Sequence, residues 1–201
     1  LRARPRSLPY ARGQGLLARL RRARPTHHAS SQAPGLEFGG PKYCFHCWLL
    51  EPNIMLIFDL DGTVVCSRHR QLACPDGSLD LDAWREHSTP EKIEQDSLLP
   101  LARLMRHALA TDKQVAICTA RVLGDADRAY LRKHGLEAPV ILARSEGDNR
   151  SDAELKREKL LSLGVDLRGV TFYDDNHSVL AMARELGINA LDATLINEAL
   201  K

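Results

Sequence analysis

The chain has 201 residues, 44% hydrophobic, 27% charged and 5% aromatic. That is enough apolar material for one domain of ordinary size with a tail, and too much for a wholly disordered chain. Its 28 Lys and Arg against 26 Asp and Glu leave a net charge of +2, which excludes a uniformly basic nucleic-acid coat, and no apolar run reaches the roughly 18 residues of a membrane span.

The even balance hides an asymmetry. Residues 1–36 contain no acid, while Arg2, Arg4, Arg6, Arg12, Arg19, Arg21, Arg22 and Arg24 crowd the same stretch. Pro5, Pro9, Pro25, Pro34 and Pro41 leave room for a helix only near 15–24. Residues 1–52 are therefore expected to form a basic, Pro-rich, disordered N-terminal arm. Its composition fits a mitochondrial targeting segment or a basic arm for nucleic acid. It also fits a non-native extension, since the chain opens on Leu1 and the first methionine is Met55. The plain reading is an arm with no part in the chemistry on a cytoplasmic protein. The five cysteines, Cys44, Cys47, Cys66, Cys74 and Cys118, are odd in number and scattered, unlike a secreted disulfide framework. Cys44 and Cys47 bracket His46 in a C-x-x-C, but no second ligand pair follows to complete a zinc site, and His27 and His28 offer only a weak completion.

From residue 53 onward strands and helices alternate. Residues 53–59 are a continuous apolar run ending in an acid, the pattern of a strand buried on both faces in a parallel sheet. A helix is expected over 97–110 from the spacing of Leu98, Leu101, Leu104, Met105 and Leu109, then a second strand over 114–118. A helix over 125–134 closes on Gly135, and 139–143 is the third strand. Ser151 and Glu154 form a capping box that opens a helix over 151–163. Residues 169–173 are the fourth strand, 178–186 a helix ending at Gly187, and 188–191 a short fifth strand. The alternation implies an α/β fold, an open parallel sheet with helices on both faces.

In such sheets ligands bind at the carboxyl ends of the strands. The first strand runs into Asp59-Leu-Asp61-Gly62-Thr63 and the second into Thr119-Ala-Arg121. The third leads to Arg144, Gly147, Asp148, Arg150 and Asp152, with Lys156 on the next helix, and the fourth into Asp174-Asp175-Asn176. Several carboxylates in one pocket stay ionised only with a cation among them, and an all-oxygen donor set suits Mg2+ better than Zn2+. Lys156, Arg121 and the Thr119 hydroxyl then suit phosphoryl oxygens. One carboxylate of the D-x-D can attack phosphorus while the second hands a proton to the leaving oxygen. Each piece alone has a plainer reading: D-x-D-G occurs in turns and Ca2+ loops, Lys156 alone is a solvated helix residue, and Asp175 could be an N-cap. Their joint placement at four strand ends carries the argument.

The run Ile57-Phe58-Asp59-Leu60-Asp61-Gly62-Thr63, followed by Thr119, Lys156 and Asp174-Asp175, resembles the four signature motifs of the haloacid dehalogenase-like (HAD) hydrolase superfamily. The resemblance implies a Rossmann-like sheet of strand order 5-4-1-2-3 and Mg2+-dependent phosphoryl transfer through an aspartyl-phosphate. It makes Asp59 nucleophile and metal ligand, and Asp61 general acid/base with a ligating backbone carbonyl. It puts Thr119 and Lys156 on phosphoryl oxygens, and Asp174 and Asp175 on the metal. Thr119-Ala-Arg121 and the stretch from Gly147-Asp148-Asn149-Arg150-Ser151-Asp152 to Lys156 and Glu158 are similar to motifs of the 3′-phosphatase domain of phage-type polynucleotide kinases. That similarity implies phosphate binding by Arg121 and Arg150, with Asp148 organising them, and a 3′-phosphorylated nucleic-acid end or nucleotide as substrate. Ala120 replaces the usual Gly, and no P-loop is present, so the kinase half is missing.

A small cap is expected at about 66–97, with a turn at Pro75-Asp-Gly77 and a short helix over 79–87 carrying Trp84. Trp84 either stacks on a base or packs the cap on the core, and Arg68, His69 and Arg70 are placed near the cavity mouth, facing phosphates or solvent. The alternatives are a phosphatase of small metabolites and a phospho-acceptor switch. The switch is disfavoured, because its acidic pair would follow the first strand rather than the fourth.

Overall fold

A computed structural model describes residues 54–74 and 80–201. The N-terminal arm, the Cys44/Cys47 pair and the Pro75-Asp-Gly77 turn lie outside the described residues. No helix among the described residues is long and apolar enough to cross a membrane.

The first strand, β1 (Met55–Phe58), is buried at every position. It lies at the centre of a five-stranded sheet, paired in parallel with β4 (Gln114–Cys118) on one side and β6 (Val170–Asp174) on the other. The outer strands β5 (Val140–Leu142) and β7 (Asn189–Asp192) also pair in parallel, giving the order β5-β4-β1-β6-β7. Counting only these five strands in chain order, this is the expected 5-4-1-2-3. The fold is α/β and Rossmann-like, an open parallel sheet with a small insertion after β1.

The period-two alternation of strands divides the core. Leu56, Phe58, Val115 and Ile117 face one side, with Leu101, Met105 and Ala108 of α3 (Leu101–Ala110), Tyr130 and Leu131 of α4 (Asp125–Lys133) and Ala193 of α7 (Ala193–Ala199). Met55, Ile57, Ala116 and Cys118 face the other, with Leu160 of α5 (Asp152–Leu161) and Val179, Leu180 and Ala183 of α6 (His177–Glu185). The central strands read as unbroken apolar runs because both faces are covered.

Helix ends follow local chemistry. Ser151 and Glu154 exchange side-chain and backbone hydrogen bonds, the expected capping box. Gly135 and Gly187 follow the caps of α4 and α6 with φ of +65° and +80°. Asn176 caps α6 by accepting the Ser178 N–H, which leaves Asp175 free of that duty.

The structure corrects the expectation of a helix over 97–110. Ser97–Leu98 form strand β3, antiparallel to β2 (Val65–Cys66), and the helix begins at Leu101. A proline disfavours helical backbone at the residue before it, so the helix cannot extend back through Leu99; instead the Leu99 N–H bonds the Val64 carbonyl at 3.0 Å. Between β2 and β3 lie a 3₁₀ turn (Arg68–Arg70), α1 (Leu81–Glu86) and α2 (Pro90–Ile93), the last capped by Thr89 with Pro90 in its first turn. Helix α7 was not anticipated; Asp192 caps it by accepting the Thr194 and Leu195 N–H groups.

Candidate active site

Asp59 follows β1 directly, its N–H bonded to the Tyr173 carbonyl at 2.9 Å. Beyond it, the Val64 and Val65 N–H groups both bond the Leu60 carbonyl, folding the chain into a tight loop. Leu60 is buried in the core, so Asp59 and Asp61 share the opposite side, as the D-x-D spacing requires. Gly62 has φ +76°, and a Cβ there would lie 2.6 Å from Asp175 Cγ. Glycine is thus required twice, for its backbone conformation and for the close approach of Asp175.

Lys156, on the first turns of α5, is buried and donates to Asp59 Oδ1 at 2.8 Å and Asp174 Oδ2 at 2.7 Å. Asp59, Asp174 and Asp175 each offer a carboxylate oxygen, all within 4.8 Å of one another. Burial pushes the Asp59 carboxyl well above the usual range despite the pull of Lys156, and Asp174, Asp61 and Asp175 add to the rise. Burial also raises Asp174, and burial with the adjacent Asp174 lifts Asp175 to about 6. Burial by itself would lower the Lys156 ammonium, but Asp59 and Asp174 hold it above the ordinary lysine range. Three crowded carboxylates against one ammonium form an anionic, all-oxygen donor set, which fits a hard divalent cation such as Mg2+.

Thr119 follows β4, is buried, and accepts the Arg121 N–H on Oγ1 at 3.2 Å. The Asp61 carboxylate is not part of the Asp59, Asp174 and Asp175 group. It accepts Arg121 Nε at 3.0 Å and further hydrogen bonds from Arg121 Nη2 and Ser67 Oγ. Burial would raise Asp61, yet the charge and hydrogen bonds of Arg121, with Ser67, hold it below the usual range.

Asp59, Asp61, Thr119, Arg121, Lys156, Asp174 and Asp175 line one cavity of about 1080 Å3. Arg150 and Asp148 are not among its lining residues. Arg150 donates to Asp148, at 2.7 Å to Oδ2, and to Glu158, so two nearby carboxylates hold it on the outside of the loop. Arg121 lines the cavity, but its fork is closed on Asp61, on Asp127 at 2.7 Å and on Asp96 at 3.3 Å. Arg70 is fully buried rather than at the mouth, donating to Asp96 twice at 2.9 Å, with its guanidinium 4.2 Å from the Trp84 ring centre. Trp84, 8% exposed, lies against Arg70 of the same insertion and also lines the cavity. Arg68 does line the cavity.

The sequence places Arg144 only among the groups beyond the third strand, and gives Asp127 and Asn197 no role. Arg144 is buried and donates to the carbonyls of Ala120, Asp148 and Arg150 and to Asp152 at 2.7–3.0 Å, tying the 144–152 loop to the end of β4. Its position just past a strand end was the available signal. Asp127 resembles an ordinary first-turn acid and does accept the Gly124 N–H, but its other oxygen takes Arg121. Asn197 on α7 accepts the Leu101 N–H at 2.8 Å and donates to the Thr63 carbonyl at 2.9 Å, and it lines the cavity. No sequence signal marks it, since its partners lie 96 and 134 positions away.

The family model of the bacteriophage T5 5′-deoxynucleotidase matches residues 50–201. The 5′-deoxynucleotidase of Escherichia phage T5 is 32% identical over 172 residues, covering 73% of this chain and 69% of that protein. Among solved structures, a HAD-like hydrolase from Streptococcus pneumoniae aligns with a TM-score of 0.53 at 16% identity, over 72% of this chain and 90% of that one. A phosphatase from Clostridium difficile aligns at 0.55 and 14%, over 71% and 85%. A chain of the Pnkp1/Rnl/Hen1 RNA repair complex aligns at 0.51 and 24%, over 70% of this chain and 42% of that one; these likenesses show the fold. The sequence match extends over the whole described region, and the chain belongs to the bacteriophage T5 5′-deoxynucleotidase family, as a phosphoric monoester hydrolase on a fold shared with HAD-like structures.

Proposed function

We propose that the chain removes phosphate from nucleoside monophosphates through an aspartyl-phosphate on Asp59. The observation that carries this is the buried group of Asp59, Lys156, Asp174 and Asp175, with Thr119 lining the same cavity. Asp59 Oδ attacks phosphorus and forms the new O–P bond, while the bond to the leaving alkoxide breaks and that oxygen takes a proton from Asp61, which must enter the step protonated although Arg121 and Ser67 favour its carboxylate at rest. Water then attacks the phosphoryl group, Asp61 takes its proton back, and the Asp59 carboxylate is restored as phosphate departs. The Thr119 hydroxyl and Lys156 bind the phosphoryl oxygens, and Arg121 holds Asp61 in place. Asp59, Asp174 and Asp175, with the Asp61 backbone carbonyl that the HAD resemblance implies, would hold Mg2+. When bound, it offsets the carboxylate charge and polarises the phosphoryl group.

The 5′ position of a deoxynucleotide is favoured by the name of the 32% identical relative. The 3′-phosphorylated end rests on the similarity of the 147–158 stretch, whose Arg150 is directed to Asp148 and Glu158. A phosphatase of small phosphorylated metabolites is the third reading. The deciding experiment compares kcat/KM for 5′-deoxynucleotides, 3′-deoxynucleotides, a 3′-phosphorylated oligonucleotide and sugar phosphates at fixed salt. The reading expects the 5′-deoxynucleotides to lead by tenfold or more, on the order of what a few polar contacts give. A lead for the oligonucleotide would restore the end-healing reading, and a lead for sugar phosphates would remove nucleotides altogether.

A further inference from the structure

Among the described residues, and besides Arg144 in the 144–152 loop, the active-site chemistry leaves three buried charges unused. Arg70, Asp96 and Asp127 are each at most 6% exposed, and none has a place in the transfer step. Burying charges is costly unless they are closely paired, so their arrangement calls for an explanation. They form one connected chain with the catalytic loop. Arg70 grips Asp96 with Nε and Nη2, both at 2.9 Å, and donates Nη1 to Ser88 at 2.8 Å. Asp96 Oδ2 also accepts Arg121 Nη2 at 3.3 Å. From the other side, Asp127 Oδ1 takes Arg121 Nη1 at 2.7 Å. Arg121 then holds both oxygens of Asp61, with Ser67 as the remaining donor. Trp84 lies 4.2 Å from the Arg70 guanidinium and 5.7 Å from that of Arg121, flanking both. Tyr130 fixes the backbone at Asp96, donating to its carbonyl at 2.7 Å.

The placement of these residues matters. Arg70, Trp84, Ser88 and Asp96 all come from the short insertion between β2 and β3, and Asp127 comes from α4. Two separate elements therefore brace the one guanidinium that aims Asp61. We infer that Asp96 and Asp127 are positioning residues that act through Arg121 on Asp61, so that the small cap serves as a support for proton delivery to the leaving group as well as a rim of the cleft. This inference rests on Asp61 being the proton donor of the proposed reaction.

A support of this kind has a signature that a general staple lacks. An alkoxide leaving group, such as the sugar oxygen of a nucleotide, needs its proton as the P–O bond breaks. A p-nitrophenolate leaves readily without one. Loss of aim at Asp61 therefore lowers kcat/KM, which reads the first transfer, more for the nucleotide than for p-nitrophenyl phosphate, whereas a loosened fold lowers both alike; the second step, with Asp61 as base, is common to both substrates and enters kcat alone. The experiment measures kcat and KM on both substrates with full-length wild type, Asp61→Asn, Asp96→Asn and Asp127→Asn. Thermal melts run alongside, and Arg70→Gln/Asp96→Asn serves as a second variant that removes both charges of the buried pair together. Asp127→Asn decides the question should the Asp96 variants fail to fold, because it leaves the cap untouched.

The expected result is that Asp96→Asn and Asp127→Asn lower the nucleotide-to-aryl ratio of kcat/KM by roughly tenfold, a fraction of what a general acid contributes. Asp61→Asn lowers the ratio further. If Asp61→Asn shifts the ratio while folded Asp96→Asn and Asp127→Asn depress both substrates equally, the network is a staple and the inference is overturned. If Asp61→Asn leaves the ratio unchanged, Asp61 is not the acid, and the mechanism falls together with the inference built on it.

Discussion

Asp59 and Asp175 show how much a single residue's surroundings decide. Both are acids beside a glycine-turned loop, yet one has an ammonium at 2.8 Å and the other lies against the bare backbone of Gly62. Asp59→Asn is expected to lower kcat by more than about a thousandfold without loss of fold, since an amide cannot attack phosphorus; steady-state rates with a melting curve check both parts. Gly62→Ala is expected to displace Asp175 and weaken Mg2+ binding by roughly tenfold or more, read by metal titration; an unchanged metal affinity would remove Asp175 from the ligand set. The crowding of acids also has a pH consequence. Asp175 sits at about 6 in the fold, raised from 3.8. The metal-free protein thus binds more protons than its unfolded chain between those values. The stability contributed by this group is complete below the lower value and is lost as pH rises through the upper one. Mg2+ is therefore expected to raise Tm more at pH 7.5 than at pH 5, and differential scanning at both values tests it.

At the scale of elements, the strands and their motifs were legible because each signal is local. Residues 55–58, 114–118 and 170–174 announce themselves as apolar runs, and Ser151 with Glu154 marks a helix start within four positions. What escaped depends on distant partners. The β2/β3 pair has two residues on each side and was absorbed into the apolar spacing of α3. Arg70 reads as a solvated loop cation until Asp96 arrives from 26 positions away. Helix α7 illustrates the same limit, because Asn197 gains its meaning only by joining Leu101 to Thr63. Replacing Asn197 with Ala leaves a buried N–H and a buried C=O unpaired, each costing about 1–3 kcal/mol. The expected result is a Tm lower by roughly 5–10 °C together with reduced kcat, because the loop bearing Asp59 and Asp61 loses a tether. Asn197→Asp keeps the acceptor for Leu101 but not the donor for Thr63. Equal activity in the Asp variant and wild type would show that the tether to Thr63 is idle.

For the molecule as a whole, a parallel sheet gathers polar ends from separate strands on one edge, and the chemistry follows from that convergence. Every residue of the proposed transfer step lies within 54–201, and the family match begins at residue 50. Removal of residues 1–52 is accordingly expected to leave kcat/KM on a small substrate within about twofold of the full chain, the spread expected where no catalytic contact is lost; a folded but inert truncation would move part of the site into the arm. Exhaustive chelation should abolish turnover, and Mg2+ should restore it better than Zn2+. The most direct test of the central claim is to find the phosphoryl group on the protein. A substrate labelled with radioactive phosphate, quenched in acid during turnover and followed by peptide mass spectrometry, should place the label on Asp59. Turnover with the label on another residue, or single-turnover quenching that finds none on the protein at any time, would contradict the account.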